Sequence, residues 1–173
     1  MARTIDEDAF HDFVVSRSPA LLRTAYLLTG DAHLAEDLVQ TALFKTAKSW
    51  RRIRGNPEAY TRRVLYNENV SRWRRTRNQR ETVLDEQTSE TALRRDVTPA
   101  DPDLAISLER ALAELTPRQR ALLVLRFYED MTETQTAAAL GISPSTVKTS
   151  TRQALARLRQ IAPHLGELTE VRS

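Results

Sequence analysis

The side chains best suited to chemistry in this 173-residue chain are the arginines of residues 51–80. That segment contains ten arginines against two glutamates, which gives it a net charge of +8. Guanidinium groups bind phosphate oxygens, and aromatic rings stack on unpaired bases. Aromatic residues are interleaved at Trp50, Tyr60, Tyr66 and Trp73. The segment predicts a nucleic-acid surface; the alternative is a solvated arginine-rich helix whose aromatic residues pack in the core.

The composition disfavours most other chemistry. The chain has no cysteine, which excludes disulfides, thiolate metal sites and cysteine nucleophiles. Its three histidines, His11, His33 and His164, are far apart in the sequence, and its four glycines form no phosphate-binding loop. We therefore predict a protein that is not an enzyme and that uses no cofactor and no metal ion.

A second functional pattern lies in residues 132–159, TETQTAAALGISPSTVKTSTRQALARLR. It predicts a short helix, a tight turn in which Gly141 suits a left-handed conformation, and a second helix, with Ile142 filling the angle between them. This is a helix-turn-helix, whose second helix enters the major groove of DNA. The candidate DNA contacts on that helix are Ser143, Ser145, Thr146, Lys148, Thr149 and Arg152. The alternative is a plain pair of helices within a bundle.

Capping residues followed by proline mark where the helices that position these side chains begin. We predict helix starts at the residue pairs 18–19, 56–57, 101–102, 116–117 and 143–144, and helix ends at Gly30 and Gly141. Thr132 and Gln135 form a predicted capping box. The buried face of the helix that begins at 56–57 is predicted to use Tyr60, Val64, Leu65, Asn67 and Val70.

The predicted fold class is all-α, because no segment shows the alternation of a strand. Two small helical domains are expected, at residues 1–80 and 102–165. An acidic flexible linker joins them at residues 81–101, within a stretch, 81–110, whose net charge is −5. A tail is expected at residues 166–173.

The residues of both candidate domains resemble a known family. Residues 35–42, AEDLVQTA, resemble the region-two signature of bacterial sigma factors, which Trp50, the helix start at 56–57 and residues 63–67, RVLYN, continue. Residues 132–148 resemble region four. The ordered pair resembles an extracytoplasmic-function (ECF) RNA polymerase sigma factor of the sigma-70 family, of the actinobacterial SigE-family type.

The resemblance implies two kinds of partner, bacterial core RNA polymerase and promoter DNA. The polymerase is expected to contact the chain through its beta-prime clamp helices and beta flap. The helix implied to dock on the clamp helices offers a polar rim beside an apolar patch, formed by Glu36, Asp37, Leu38, Val39 and Gln40. The alternative for these five residues is an ordinary amphipathic helix.

The resemblance also assigns the two DNA-binding segments to promoter elements. The helix-turn-helix is implied to bind the −35 element. The arginine-rich segment and its preceding loop are implied to bind and melt the −10 element and to hold an extruded base. The residues predicted for that role are Arg51, Arg52, Arg54, Arg62, Arg63, Asn67, Asn69, Ser71, Arg72, Trp73, Arg74 and Arg75.

Two positions of the second helix depart from the pattern of the family. Gln153 stands where a basic residue is common, and Ser150 stands where arginine is often found. These departures affect individual −35 contacts and leave the helix-turn-helix itself intact.

The predicted localisation is cytoplasmic, without membrane insertion, because the chain has no secretory segment and no apolar run long enough to cross a bilayer. An anti-sigma factor is a further possible partner under the resemblance. The alternative function is a stand-alone helix-turn-helix transcriptional regulator, which would leave the arginine-rich segment unexplained.

Overall fold

The computed structural model describes residues 2–80 and 102–166, and within them all regular structure is helical, as predicted. The chain divides into two compact units, Met1–Thr91 and Ala92–Ser173. The predicted linker at 81–101 lies outside the described residues, as does the predicted tail after residue 166.

In the N-terminal unit, residues 2–80 form a bundle of three α-helices. These are α1 (Ala2–Thr29), α2 (Ala32–Ser49) and α3 (Pro57–Arg80), with a 3₁₀ turn at Trp50–Arg52 before the loop that leads into α3. Each helix packs against the other two. The fully buried leucines are Leu21, Leu28, Leu38 and Leu65.

The connection between α1 and α2 contains the predicted helix end at Gly30 and a cap at Asp31 that the sequence analysis did not identify. Gly30 adopts a left-handed φ of 69° and its amide donates to the carbonyl of Tyr26 at 2.7 Å, which ends α1. Asp31 then caps α2, because its carboxylate accepts a hydrogen bond from the Leu34 amide at 2.9 Å.

The start predicted for the first helix at residues 18–19 is wrong. α1 continues through Pro19, although proline lacks the amide hydrogen that would bond to the preceding turn. Ser18 does not act as a cap, since its hydroxyl donates to the carbonyl of Val14 at 2.6 Å inside the helix. Tertiary contacts hold the first half of α1, because Phe10 and Phe13 pack against Trp50 with ring centroids 5.0 and 5.3 Å away.

In the C-terminal unit, the described residues 102–166 form five α-helices around a small core. They are α4 (Pro102–Ala113), α5 (Pro117–Leu123), α6 (Glu133–Leu140), α7 (Pro144–Ile161) and α8 (Pro163–Gly166). A π-helical turn at Val124–Tyr128 extends α5, and Phe127 within it is exposed. The predicted cap at Thr116 and the predicted capping box at Thr132 are confirmed.

Arg120 is a buried charged residue whose guanidinium donates hydrogen bonds at the C-terminal end of α4. Its Nε donates to the carbonyl of Leu112 at 2.8 Å, and its Nη2 lies 3.2 Å from the carbonyl of Ala113 and 3.4 Å from that of Leu115. A cation at this end of a helix is favourable because the last carbonyls have no partner within the helix. Burial lowers the pKa of Arg120 from its ordinary value.

Candidate nucleic-acid and polymerase interfaces

The helix-turn-helix is formed by α6 and α7 as predicted. Gly141 has φ 65° and ψ 39°, a left-handed conformation in which its amide donates to the carbonyl of Ala137. The Ile142 amide bonds the same carbonyl at 3.1 Å. Ser143 then caps α7, since its Oγ accepts from the Thr146 amide at 3.2 Å. These hydrogen bonds pair the Ala137 carbonyl near the end of α6 and the Thr146 amide near the start of α7, and they fix where α7 begins.

One face of α7 is buried and the other faces solvent. Val147, Ala154 and Leu158 lie in the core. Four of the predicted DNA contacts, Ser145, Lys148, Thr149 and Arg152, are exposed side by side near the N-terminal half of the helix. Of the remaining two, Ser143 is exposed and Thr146 is half-buried, and their hydroxyls lie 2.7 Å apart in the local capping network.

The structure also exposes Gln153, directly after Arg152 on α7. Sequence reasoning treated this glutamine only as a departure from the family pattern. Its side-chain amide can donate and accept hydrogen bonds at once, as base edges require. Gln153 follows Thr149 by four residues, about one helical turn, and this spacing in the sequence indicates that both side chains lie on one face of α7.

The N-terminal unit has a cleft where α2 ends and α3 begins. Its volume is about 620 Å³, and it lies beside the loop predicted to meet the −10 element. The residues that line it are Ser49, Arg52, Ile53, Arg54, Asn56, Ala59, Tyr60 and Arg63. Three predicted arginines and one predicted aromatic residue therefore meet at one concave surface. Sequence reasoning missed Asn56 here, since it identified this residue only as a helix cap.

Of the eight arginines predicted to contact the −10 element, six are exposed and two are half-buried. Six are exposed along the loop and α3, namely Arg51, Arg52, Arg54, Arg63, Arg74 and Arg75. Arg72 is half-buried, with its Nη2 3.4 Å from the Oδ2 of Asp37. Arg62 faces the bundle instead, because its guanidinium bonds Glu58 at 3.0 Å and the hydroxyl of Thr24 at 3.3 Å. The placement of Arg62 does not support its predicted phosphate contact.

The four aromatic residues of this segment differ in their burial. Tyr66 is 4% exposed and lies in the core, whereas Trp50 is half-buried and packs on Phe10 and Phe13. Tyr60 is half-buried and lines the cleft, and Trp73 is half-buried. Among the polar candidates of α3, Asn67 and Ser71 are exposed and Asn69 is half-buried. The prediction that Asn67 belongs to the buried face is therefore wrong, because Thr61, Leu65 and Tyr66 occupy that face.

The prediction that Leu38 and Val39 form an apolar patch on the surface of α2 is wrong. Leu38 and Val39 are 1% and 4% exposed, because both pack into the core of the bundle. The polar rim is present, since Glu36, Asp37 and Gln40 are all exposed.

Two other apolar residues of α2 face solvent. They are Leu34, 43% exposed, and Phe44, 60% exposed, with Lys48 Nζ 4.3 Å from the Phe44 ring centroid. Phe44 follows Asp37 by seven residues, or two helical turns, which is the signal that could have located this surface.

Neither a metal-binding cluster nor a membrane-spanning helix is found in the described part of the chain. No group of three or more His, Cys, Asp or Glu side chains within them is arranged to hold a metal ion. None of the helices traced there has the length and apolar character needed to cross a membrane.

Family models match both units. Residues 13–79 match the model described as Sigma-70 region 2, and residues 105–158 match Sigma-70, region 4. The first range covers α2, α3 and the cleft, and the second covers the helix-turn-helix. Fold and sites together define a transcription initiation factor with the two-part sigma-70 architecture.

Sequence similarity to known RNA polymerase sigma factors identifies the family within this class. The chain is 41% identical over 153 residues to the RNA polymerase sigma-E factor of Streptomyces coelicolor, covering 87% of this chain and 84% of that protein. It is 29% identical over 168 residues to the RNA polymerase sigma factor CarQ of Myxococcus xanthus, covering 94% of this chain and 92% of that protein. The chain belongs to the ECF sigma factors of the sigma-70 family.

A solved structure has a similar fold. It is the sigma factor RpoE in complex with the anti-sigma factor NepR from Bartonella quintana, with a TM-score of 0.65 and 25% sequence identity. The match covers 88% of this chain and 96% of that one. As a sigma factor, the present chain binds core RNA polymerase and promoter DNA to initiate transcription.

Proposed function

We propose that α7 reads the −35 element of the promoter through its exposed face. Lys148, Thr149 and Arg152 supply donors and acceptors for base edges in the major groove, and Ser145 lies one turn before Thr149. Ser143 and Thr146 bind the adjacent phosphates at the helix N-terminus, where backbone amides favour negative charge. The observation that supports this assignment is the polar, exposed N-terminal half of a helix whose opposite face is in the core.

The cleft between α2 and α3 is proposed to bind the unpaired −10 strand. Arg52, Arg54 and Arg63 surround a concave surface lined by the ring of Tyr60 and the side-chain amide of Asn56. A pocket with positive charge, an aromatic surface and an amide suits an extruded base and its phosphates. Farther along α3, Arg74 and Arg75 are exposed and extend the positive surface beyond the cleft.

The exposed side of α2 is proposed to dock on the beta-prime clamp helices of the polymerase. Phe44 provides the apolar centre, and Asp37, Gln40 and Glu36 provide the polar rim. A desolvated aromatic residue inside a polar ring is the usual anatomy of a protein interface. The C-terminal unit is proposed to contact the beta flap.

The domain assignment follows from these roles. Residues 1–80 are proposed as the polymerase- and −10-binding domain, and residues 102–165 as the −35-binding domain, joined by the acidic linker at 81–101. An anti-sigma factor is proposed as a further partner. The support for it is the RpoE structure, which was solved in complex with such a factor.

Run-off transcription from a promoter library tests the proposal. Core polymerase is supplied with or without the purified protein, and transcripts are sequenced. We expect the protein to select promoters with two conserved elements at a fixed spacing. If transcript selection does not depend on the protein, the proposal is wrong. If the protein alone protects the same duplex sites from nuclease, it is a stand-alone regulator.

A further inference from the structure

The first two turns of α3 face in two directions. Ala59, Tyr60 and Arg63 line the cleft, whereas Glu58 and Arg62 contact α1, and Thr61 is fully buried against α2. A single helical segment therefore presents one face to the cleft while its other face is fastened to the bundle. Any rotation or shift of that segment moves the residues that line the cleft.

A pair of buried hydroxyls fastens α3 to α2. Thr46 and Thr61 are both 0% exposed, and their Oγ1 atoms lie 3.0 Å apart. Thr46 Oγ1 also lies 2.8 Å from the carbonyl oxygen of Ala42 in α2, and Thr61 Oγ1 lies 2.8 Å from that of Pro57 in α3. Two hydroxyl hydrogens serve these three contacts, so one hydroxyl donates across the helices while the other donates to its carbonyl.

A charged network fastens α3 to α1. Arg62 Nε and Nη2 donate to Glu58 Oε1 at 3.1 and 3.0 Å, and Arg62 Nη1 donates to the hydroxyl of Thr24 at 3.3 Å. The other oxygen of Glu58 lies 3.3 Å from Nε of Arg17. Both Arg17 and Thr24 belong to α1, so the first turn of α3 is held on that side as well.

The chemistry of these contacts differs from that of the rest of the core. Leucine side chains hold the bundle together through contacts that do not depend strongly on angle. Hydrogen bonds depend on both distance and angle, so they specify one relative placement of the helices. Burying Thr46 and Thr61 is unfavourable unless their hydroxyls are bonded, which ties the fold to this arrangement. Thr46 lies one turn before Ser49, at the edge of the cleft.

We propose that the Thr46–Thr61 pair and the Glu58–Arg62–Thr24 network are positioning elements for the −10 cleft. They set the rotation of α3 and its separation from α2, so that Arg52, Tyr60 and Arg63 converge on one unpaired strand. This inference rests on the proposed role of the cleft in −10 binding. None of the positioning side chains contacts the DNA.

The test uses the double substitution Thr46→Val/Thr61→Val in the complex with core polymerase. Valine keeps the shape of threonine, and removing both hydroxyls together leaves no buried partner unpaired, so stability is expected to change little. The probe is a promoter selected by the run-off experiment, with its −10 segment mismatched so that the strands are already open. Thr41→Val is the matched control, because Thr41 lies on α2 and its hydroxyl donates to the carbonyl of Asp37 within the same helix.

We expect the double variant to bind the mismatched promoter roughly threefold to tenfold more weakly, the loss of about one directional hydrogen bond. Its melting temperature and its binding to an isolated −35 duplex should match those of the wild type, and Thr46→Ser should retain affinity. Unchanged binding by the double variant would overturn the inference, as would a loss equal to the fall in folded fraction or to that of Thr41→Val. Failure of the wild-type complex to bind the probe would overturn the −10 assignment of the cleft as well.

Discussion

Asp37 of α2 and Arg72 of α3 form an ion pair between the surface proposed for polymerase and the helix proposed for DNA. Arg72 Nη2 lies 3.4 Å from Asp37 Oδ2, and the two side chains are 31% and 69% exposed. An ion pair with this much solvent around it contributes little to stability. A phosphate group can therefore replace Asp37 as the partner of Arg72 at small cost.

The coupling between these two residues is expected to be weak. A double-mutant cycle with Asp37→Asn and Arg72→Gln should give a coupling below about 1 kcal/mol in urea unfolding. The coupling should fall further at high salt, because mobile ions screen exposed charges. A salt-insensitive coupling of several kcal/mol would mean that the pair is an essential part of the fold and that Arg72 is not available to DNA.

Truncation of Phe44 should weaken binding to core polymerase. Phe44→Ser removes an exposed aromatic ring of α2, and we expect a loss of about 1–3 kcal/mol in binding free energy, since a few central aromatic residues dominate such interfaces. Val15→Ser on α1 is the control, because Val15 is 62% exposed and Phe44 is 60% exposed. Equal effects of the two variants in a titration with labelled polymerase would contradict the assignment of α2.

Arg62 and Arg63 are neighbours with different expected roles. Arg62→Gln should lower the free energy of unfolding by about 1–2 kcal/mol, because its hydrogen bonds join α3 to α1 through Glu58 and Thr24. Arg63→Gln should change stability by less than about 0.5 kcal/mol, because the side chain is exposed. Binding to the mismatched promoter should show the larger loss for Arg63→Gln after correction for folded fraction. The reverse order would contradict the larger direct contribution assigned to Arg63.

Removing the charged side chains of the α7 face should weaken −35 recognition. Lys148→Ala and Arg152→Ala are each expected to lose roughly 1–3 kcal/mol of discrimination if they contact bases. Arg157→Ala is the control, since Arg157 is exposed farther along α7 and lies 3.4 Å from Gln160. Competition between matched and mutated −35 duplexes measures the effect. An unaltered preference in both variants would show that these residues do not read bases.

The exposed end of α3 should contribute to the salt dependence of promoter binding. Each phosphate contact adds about one unit to the slope of log affinity against log salt. Arg74→Gln and Arg75→Gln are therefore each expected to reduce that slope by about one unit in the complex with polymerase. Arg118→Gln on α5 provides a control for the loss of one positive charge. A slope equal to that of the wild type would place Arg74 and Arg75 away from the phosphates.

Local interactions explain what could be predicted from sequence. Capping at Thr132 and Ser143 depends on residues three positions apart, so these helix starts could be recognised from the sequence. The left-handed turn at Gly141 is equally local, because glycine adopts it without strain. Together these signals determined the all-α class and the helix-turn-helix, and the periodicity of α7 indicated its exposed face.

Contacts between distant residues decided the rest. α1 runs through Pro19 because Phe10 and Phe13 pack on Trp50, about forty residues away, and no local rule contains that contact. Leu34 and Phe44 of α2 are exposed whereas Leu38 is buried, because packing against the neighbouring helices decides which face of an amphipathic helix lies in the core.

The arginine-rich segment shows most clearly which features follow from sequence and which depend on tertiary contacts. Its sequence determined a dense positive charge, which follows from composition alone. Only the tertiary structure separated Arg62, held by Thr24 of α1, from Arg63, which faces the cleft. Adjacent residues on a helix point about 100° apart, so the docking of α3 on α1 and α2 decides which arginine is internal and which is exposed.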